Sequence, residues 1–288
     1  MNSKELKNEI EQLYFKSLDC DDSNYIIILD SIKSIIGMNL ESINRKLLNL
    51  FNKHIGKANF NNIKINSFDK IPDAISMYSL EESLLNRDTD AAIENVFYLS
   101  RVSDGLQILE FLLEFSLRYC NKSYNYIWHI IRMQKFLNGK YMLNSLNKSV
   151  MLVLSEDFHD SLIEDSREVK WLDFLSLEFE ENNELLLYYT IYKSDLIREI
   201  SIKNIIRSRL FTILDKAKNK TDNVLNIDEM QITEGRSWIY DYIHRLNDNE
   251  IDFDIIRFLN SVRSCLMLSD NELEIRYLWS YLNNKLCD

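Results

Sequence analysis

Residues that form tight turns are scarce in this sequence. Its 288 residues include five glycines and one proline. Sheets and barrels need many tight turns, which usually contain Gly or Pro, whereas helices can be joined by short polar links. The glycine-rich phosphate-binding loops and the G-x-S-x-G nucleophile turn are absent from the sequence. Their absence excludes the common nucleotide-binding loops and argues strongly against an α/β-hydrolase.

Basic residues and cysteines are also limited. The 34 Lys and Arg residues are outnumbered by 45 Asp and Glu residues, which gives a net charge of −11. Binding to phosphate backbones requires clustered Lys and Arg, so we do not expect nucleic acid as a partner. The four cysteines include no C-x-x-C pair, which argues against zinc-ribbon and thioredoxin-type sites. We expect free thiols in a reducing cytoplasm.

Signals for export and for membrane insertion are missing as well. The N-terminus is polar and charged, unlike a secretory signal peptide. No apolar run approaches the roughly 18 residues of a membrane span. We therefore expect a cytoplasmic protein without a membrane span.

Helical periodicity is the dominant pattern that the sequence does contain. In the segment 105–120, leucines recur at three- and four-residue intervals on one helical face, and the opposite face is also largely apolar. A helix that is apolar around most of its circumference must be packed on several sides, so this segment is predicted to be a central helix. The sequence predicts an all-α fold, either an irregular multi-helix bundle or a degenerate array of helical hairpins.

Two stretches interrupt the helical pattern. Residues 57–70 are rich in Asn and lack helical periodicity, which predicts a loop between an N-terminal helical unit, 1–56, and a main helical domain, 71–288. Residues 175–193 allow two interpretations. Apolar and polar residues alternate before an Asn-Asn pair and strand-favouring residues follow it, which is typical of a small β-hairpin. Two helices that meet at the Asn pair fit the same residues equally well.

Two acid–histidine pairs are the candidate metal ligands. Glu156 precedes His159, and Asp241 precedes His244, by three positions. On a helix each pair would share a face and could offer a carboxylate and an imidazole to one ion, as in helical di-iron and di-manganese sites. The spacing therefore predicts iron or manganese ligands. A competing interpretation, which helical phase favours, turns these side chains away from the apolar stripes of their helices and gives them no metal.

A second candidate site lies in the apolar segment 123–137. Trp128 and His129 are adjacent there, within a run of isoleucines and aromatic residues. The first interpretation makes His129 a core residue with one satisfied hydrogen bond. The second makes Trp128 and His129 the lining of a ligand or cofactor pocket.

Two classes of function follow from these patterns. The absence of any catalytic motif, the acidic composition and the amphipathic helices favour a non-catalytic protein-interaction module. Such a module is an adaptor, a regulator or an assembly factor, and it binds a protein partner or a second copy of itself. The alternative is a metal- or cofactor-dependent helical-bundle enzyme of oxidase or oxygenase type that uses the carboxylate–histidine pairs. The sequence assigns no catalytic residue and leaves open whether the chain is an enzyme.

Overall fold

The chain is helical throughout its described parts. The computed structural model describes residues 2–41, 43, 45–60, 75–119, 121–159, 164–177, 182–216, 227, 229–247 and 251–287. Within these ranges it contains fifteen α-helices and no strand or sheet, and an isolated antiparallel bridge joins Cys20 to Phe60. The prediction of an all-α multi-helix fold is confirmed.

The helices range from five to seventeen residues in length. Their bounds are α1 Ser3–Asp19, α2 Asn24–Ile36, α3 Lys46–Ile55, α4 Met77–Leu85, α5 Thr89–Val102, α6 Gly105–Arg118, α7 Tyr124–Leu137, α8 Met142–Ser155, α9 Trp171–Leu175, α10 Asn182–Lys193, α11 Ile200–Lys216, α12 Glu229–Glu234, α13 Arg236–Arg245, α14 Phe253–Leu268 and α15 Glu272–Cys287. The side chains of Asn2, Ser76, Asp88 and Asp104 cap α1, α4, α5 and α6. Such caps accept hydrogen bonds from N–H groups that have no partner within the helix, so they fix where these helices begin.

The chain divides into two compact units, each made of two segments. The first unit contains Met1–Asp30 and Phe51–Leu162, and the second contains Ser31–Leu50 and Ile163–Asp288. The divisions fall within α2 and α3, so each of these helices contributes residues to both units.

The loop predicted at 57–70 is described only in part. Residues 57–60 follow α3, and residues 61–70 lie outside the described residues. The division of the chain at this loop, into 1–56 and 71–288, stays a prediction.

Helix α6 lies in the interior of the first unit. It packs against α7 and α8 and also contacts α4 and α5, as the apolar pattern of 105–120 predicts. A Cβ atom at Gly105 would overlap the Met142 side chain, so the glycine permits the close approach of α6 to α8. The buried residues of α6 are Ile108, Leu109, Glu110, Leu112, Leu113, Phe115, Ser116 and Leu117.

Helix α10 occupies the position of the second strand in the hairpin considered for 175–193. Because α10 spans Asn182–Lys193, the hairpin interpretation is wrong for this part of the segment. Two helices flank the segment, but α9 already ends at Leu175 and the Asn pair begins α10; residues 178–181 lie outside the described residues. Helix α10 packs against both α14 and α11. Burial on several sides outweighs the strand preference of its Tyr, Thr and Ile residues. Its buried residues are Leu185, Leu186, Tyr188, Tyr189, Thr190 and Ile191.

The helices were also compared with the requirements of a membrane span. In the described part of the chain, no helix has the length and apolar character that crossing a bilayer requires.

Candidate functional site

His129 belongs to a buried ionic cluster in the first unit. It lies one turn before Arg132 on α7, and both side chains reach Asp30 on α2. The Nδ1 atom of His129 is 2.7 Å from Oδ2 of Asp30, and Nε of Arg132 is 3.1 Å from the same oxygen. Asp30 is fully buried and His129 is 6% exposed. His129 is therefore a core histidine with a carboxylate partner.

Asp30 is the member of this cluster that the sequence patterns did not single out. It follows the apolar run Tyr25–Leu29, and all five residues of that run are buried. A carboxylate removed from water is strongly destabilising unless it is paired and hydrogen-bonded. A single acid in an apolar helix is thus itself a signal that a cationic partner lies elsewhere in the chain, although it does not identify that partner.

Trp128 is buried next to His129 on α7. Its side chain is 2% exposed, and its Nε1 atom has no hydrogen-bond acceptor among the described residues. An indole N–H in this state is an unused donor, which is uncommon in a protein interior. A ligand pocket lined by Trp128 and His129 stays a prediction.

The first acid–histidine pair, Glu156 and His159, lies beyond the end of α8. Helix α8 ends at Ser155, and Glu156 has an extended backbone conformation. The backbone N–H of His159 donates to the carbonyl of Tyr119 at 2.8 Å, and its side chain is exposed. Because the two residues are not on a helix, the three-residue spacing does not place them on a shared helical face.

Arg87 explains why the chain leaves the helix at this point. Its Nη2 atom donates to the carbonyl of Glu156 at 3.0 Å, and its guanidinium lies 4.5 Å from the centre of the Phe158 ring. The Phe158 ring packs in turn against Phe115 of α6 at 5.4 Å between ring centres. These contacts join the non-helical segment 156–159 to the first unit.

The second pair, Asp241 and His244, lies on α13. Asp241 is exposed and His244 is half-buried. The Nδ1–H group of His244 donates to the carbonyl of Tyr240 at 2.9 Å, and the two rings stack at 4.0 Å between centres. Burial lowers the pKa of His244. Its Nε2 atom has no hydrogen-bond partner among the described residues, so the lone pair of this nitrogen accepts no hydrogen bond from them.

The two pairs belong to different compact units. Glu156 and His159 are in the first unit, and Asp241 and His244 are in the second. Within the described ranges, no group of three or more His, Cys, Asp and Glu side chains could hold a metal ion. Iron or manganese binding at these four residues stays the untested alternative to the interpretation that gives them no metal.

Cys20 and Cys265, the cysteines whose side chains the structure describes, are buried thiols. Burial raises the pKa of the Cys20 thiol to about 11, and this effect is larger than the opposing effect of the nearby Lys148 charge. The ammonium group of Lys148 donates to the backbone carbonyl of Cys20 at 2.7 Å. Because the thiolate is the reactive form of cysteine, a thiol with this pKa is a poor nucleophile at neutral pH.

A shallow polar groove of about 390 Å³ runs along α1. Its lining includes Glu5, Glu9, Lys16 and Asn52. Glu5 already accepts a hydrogen bond from the backbone N–H of Asn2, at 3.0 Å, as part of a capping box. The Glu5 carboxylate in this groove therefore has a structural role, because it caps the start of α1.

Helix α4 is apolar on both of its faces. Leu80, Ser83 and Leu84 are buried. On the opposite side Tyr78 is 72% exposed and Leu85 is 45% exposed. The sequence patterns did not single out these two residues, because an aromatic or aliphatic residue on a helix is usually part of the core.

Exposed acidic side chains lie on α4 and at the start of α5. Glu82 is exposed and lies on the same helical face, between Tyr78 and Leu85. Asp90, in the first turn of α5, is also exposed. The α4–α5 pair thus combines exposed apolar and acidic groups on one part of the first unit; these four residues, Tyr78, Glu82, Leu85 and Asp90, are here called the α4 surface.

Comparison with known proteins adds no relative to this picture. No family model, curated protein or solved structure matches the chain.

Proposed function

We propose that this protein is a non-catalytic helical interaction module that binds a protein partner, as an adaptor, a regulator or an assembly factor. The observation that supports the proposal is the exposure of Tyr78 and Leu85 on the outer face of α4. Tyrosine is a frequent energetic anchor of protein interfaces, because it provides a large, rigid contact area with a polar tip.

The spacing of these residues also supports partner binding. Single exposed apolar residues are common and need no explanation. Tyr78, Glu82 and Leu85 instead recur at positions i, i+4 and i+7 of one helix, which is the spacing by which a helix docks on a partner.

The buried carboxylates of Asp30 and Glu274 also agree with a non-catalytic role. Each contacts neighbouring side chains, which is typical of ion pairs and hydrogen bonds that stabilise a fold.

The test compares partners captured by the full chain and by a surface variant. The variant carries Tyr78→Ser and Leu85→Ser. The matched control carries Ile200→Ser, because Ile200 of α11 has the same 72% exposure as Tyr78. Proteins captured from the source cells are quantified by mass spectrometry, and each candidate is then purified and its affinity measured by calorimetry. We expect the surface variant to bind a purified partner at least about tenfold more weakly than the wild type, which corresponds to the loss of one anchor residue.

Folding is checked in the same experiment. Substitutions at exposed sites usually change stability by no more than about 0.5 kcal/mol, so all three proteins should unfold at similar urea concentrations. The proposal is wrong if the surface variant and the control retain every purified partner with wild-type affinity.

A further inference from the structure

We infer that the partner of the α4 surface is a cationic amphipathic helix. Its apolar side would pack on Tyr78 and Leu85, and its Lys or Arg side chains would face Glu82 and Asp90. This inference rests on the proposed function and adds the chemical class of the partner.

The part of the chain that contains the α4 surface has an excess of negative charge. From Ser76 to Asp90 the sequence carries four carboxylates and one guanidinium. They are Glu81, Glu82, Asp88 and Asp90 against Arg87. The local imbalance has the same sign as the net charge of −11 for the whole chain. An acidic surface attracts a cationic partner and raises its association rate.

The guanidinium groups of Arg87 and Arg118 already contact groups of the first unit. Arg87 is engaged with the segment that follows α8, through the carbonyl of Glu156 and the ring of Phe158. Arg118 of α6 pairs with Glu81, at 3.3 Å, and with Glu114. Both guanidinium groups are thus held by groups of the first unit. Glu82 and Asp90 contribute the exposed negative charge of the α4 surface.

The spacing of Tyr78 and Leu85 along α4 matches the spacing of side chains on a second helix. Tyr78 and Leu85 are seven positions apart, which is about two turns or roughly 10 Å along the helix. Residues i and i+7 of a second helix have the same separation, so two anchors on a partner helix can meet both side chains. Glu82 lies between the anchors on the same face, within reach of a Lys or Arg that flanks them.

A second copy of this chain is a less suitable occupant. A two-fold symmetric dimer would place the α4 surface against itself, and each Glu82 would approach the Glu82 of the other copy. Like charges at the centre of an interface oppose association. A helix of opposite charge avoids this repulsion and still covers the apolar residues.

The probe is a synthetic amphipathic peptide of Leu and Lys, roughly 14 residues or about four turns long. Leu occupies the positions that form one helical face. Two matched peptides serve as controls: one replaces every Lys by Glu, and one keeps the composition but scrambles the Leu positions. Binding of each labelled peptide to the full-length protein is followed by fluorescence anisotropy at low and high salt.

We expect the Leu–Lys helix to bind, the Leu–Glu helix not to bind, and the scrambled peptide to bind at least about tenfold more weakly. Binding should weaken as salt screens the charges. Tyr78→Ser with Leu85→Ser should weaken binding by about tenfold or more, although it leaves the protein charge unchanged. Glu82→Lys with Asp90→Lys should weaken binding of the Leu–Lys helix and permit binding of the Leu–Glu helix. Ile200→Ser should bind like the wild type.

Three outcomes overturn the inference. The first is binding that depends on peptide charge alone, unaffected by the scrambled order and by the Tyr78 and Leu85 substitutions. The second is concentration-dependent dimerisation of the free protein that the same two substitutions abolish, because the occupant is then a second copy. If a purified native partner still requires Tyr78 and Leu85 while the Leu–Lys helix fails to bind, only the cationic class is wrong. If neither a purified native partner nor the Leu–Lys helix needs Tyr78 and Leu85 for binding, the proposed function itself is refuted.

Discussion

The imidazole of His129 and the carboxylate of Asp30 are 2.7 Å apart, although 99 positions separate them in the chain. The contact fixes one face of α7 against α2 within the first unit. Arg132, one turn further along α7, binds the same carboxylate oxygen at 3.1 Å. A fully buried carboxylate therefore has two nitrogen partners, which offset the loss of its water shell.

We predict that Asp30→Ala strongly destabilises the protein. The substitution leaves the guanidinium of Arg132 and the ring nitrogen of His129 without this carboxylate in a low-dielectric interior. Breaking a buried ion pair by removing one partner typically costs about 3–5 kcal/mol. The free energy of unfolding, measured by urea denaturation with circular dichroism, should fall by an amount in this range.

Two further variants separate the loss of pairing from the loss of packing. Asp90→Ala removes an exposed carboxylate from the first turn of α5 and should lower the unfolding free energy by no more than about 1 kcal/mol, through loss of its interaction with the helix dipole. The combination Asp30→Leu, His129→Leu and Arg132→Met removes all the charges together and should be more stable than Asp30→Ala. An Asp30→Ala protein that loses less than about 1 kcal/mol would show that the ionic cluster contributes little.

The helical fold follows from short-range information in the sequence. The leucine spacing in 105–120 identifies α6 and its central position, because the period of the apolar residues depends only on local geometry. The end of α8 does not follow from such information. The segment 156–159 leaves the helix where Arg87, about 70 positions earlier, binds the carbonyl of Glu156. Local periodicity carries no information about a contact over this distance in the chain, so the spacing of Glu156 and His159 suggested a shared helical face that the structure does not have.

The same limit applies to the candidate sites. A sequence pattern shows that Asp30 needs a partner, but only the packing of α2 on α7 brings His129 and Arg132 to it. Likewise, Tyr78 and Leu80 are both apolar residues of α4, and the sequence does not show which of them is covered. Leu80 is fully buried and Tyr78 is 72% exposed because α5, α6 and α8 pack on one side of α4.

We predict that the purified protein does not bind iron or manganese stoichiometrically. Glu156 and His159 do not share a helical face, and among the described residues no group of three or more His, Cys, Asp and Glu side chains could hold an ion. A stable metal site usually needs at least three protein ligands with fixed geometry. After incubation with each metal and dialysis, elemental analysis should find well below one ion per chain, and a chelator should leave the urea midpoint unchanged.

The histidine variants give this prediction a direct control. His159→Gln and His244→Gln should contain as little metal as the wild type. Stoichiometric iron or manganese in the wild type, lost in both variants, would instead support the oxidase or oxygenase alternative and assign both histidines as ligands.

Protonation of His244 should make the protein less stable in mild acid. Burial lowers the pKa of this imidazole below its ordinary value of 6.5, so the folded protein holds it neutral. The unfolded chain gains a proton at His244 at a higher pH than the folded protein does. The contribution of neutral His244 to the free energy of unfolding is therefore fully present above about pH 6.5. It falls as the pH decreases below that value and levels off below the pKa of His244 in the folded protein.

The measurement is the difference in unfolding free energy between about pH 7.5 and pH 5. His244→Gln removes the titrating group, so its unfolding free energy should decrease less over this interval than that of the wild type. Ile200→Ser changes an exposed residue that has no titrating group and should retain the wild-type decrease. The comparison uses the change with pH instead of stability at one pH, because Gln at position 244 can alter packing against Tyr240 at every pH. Equal decreases in all three proteins would mean that His244 takes up its proton at the same pH in the folded and unfolded states, contrary to its burial on α13.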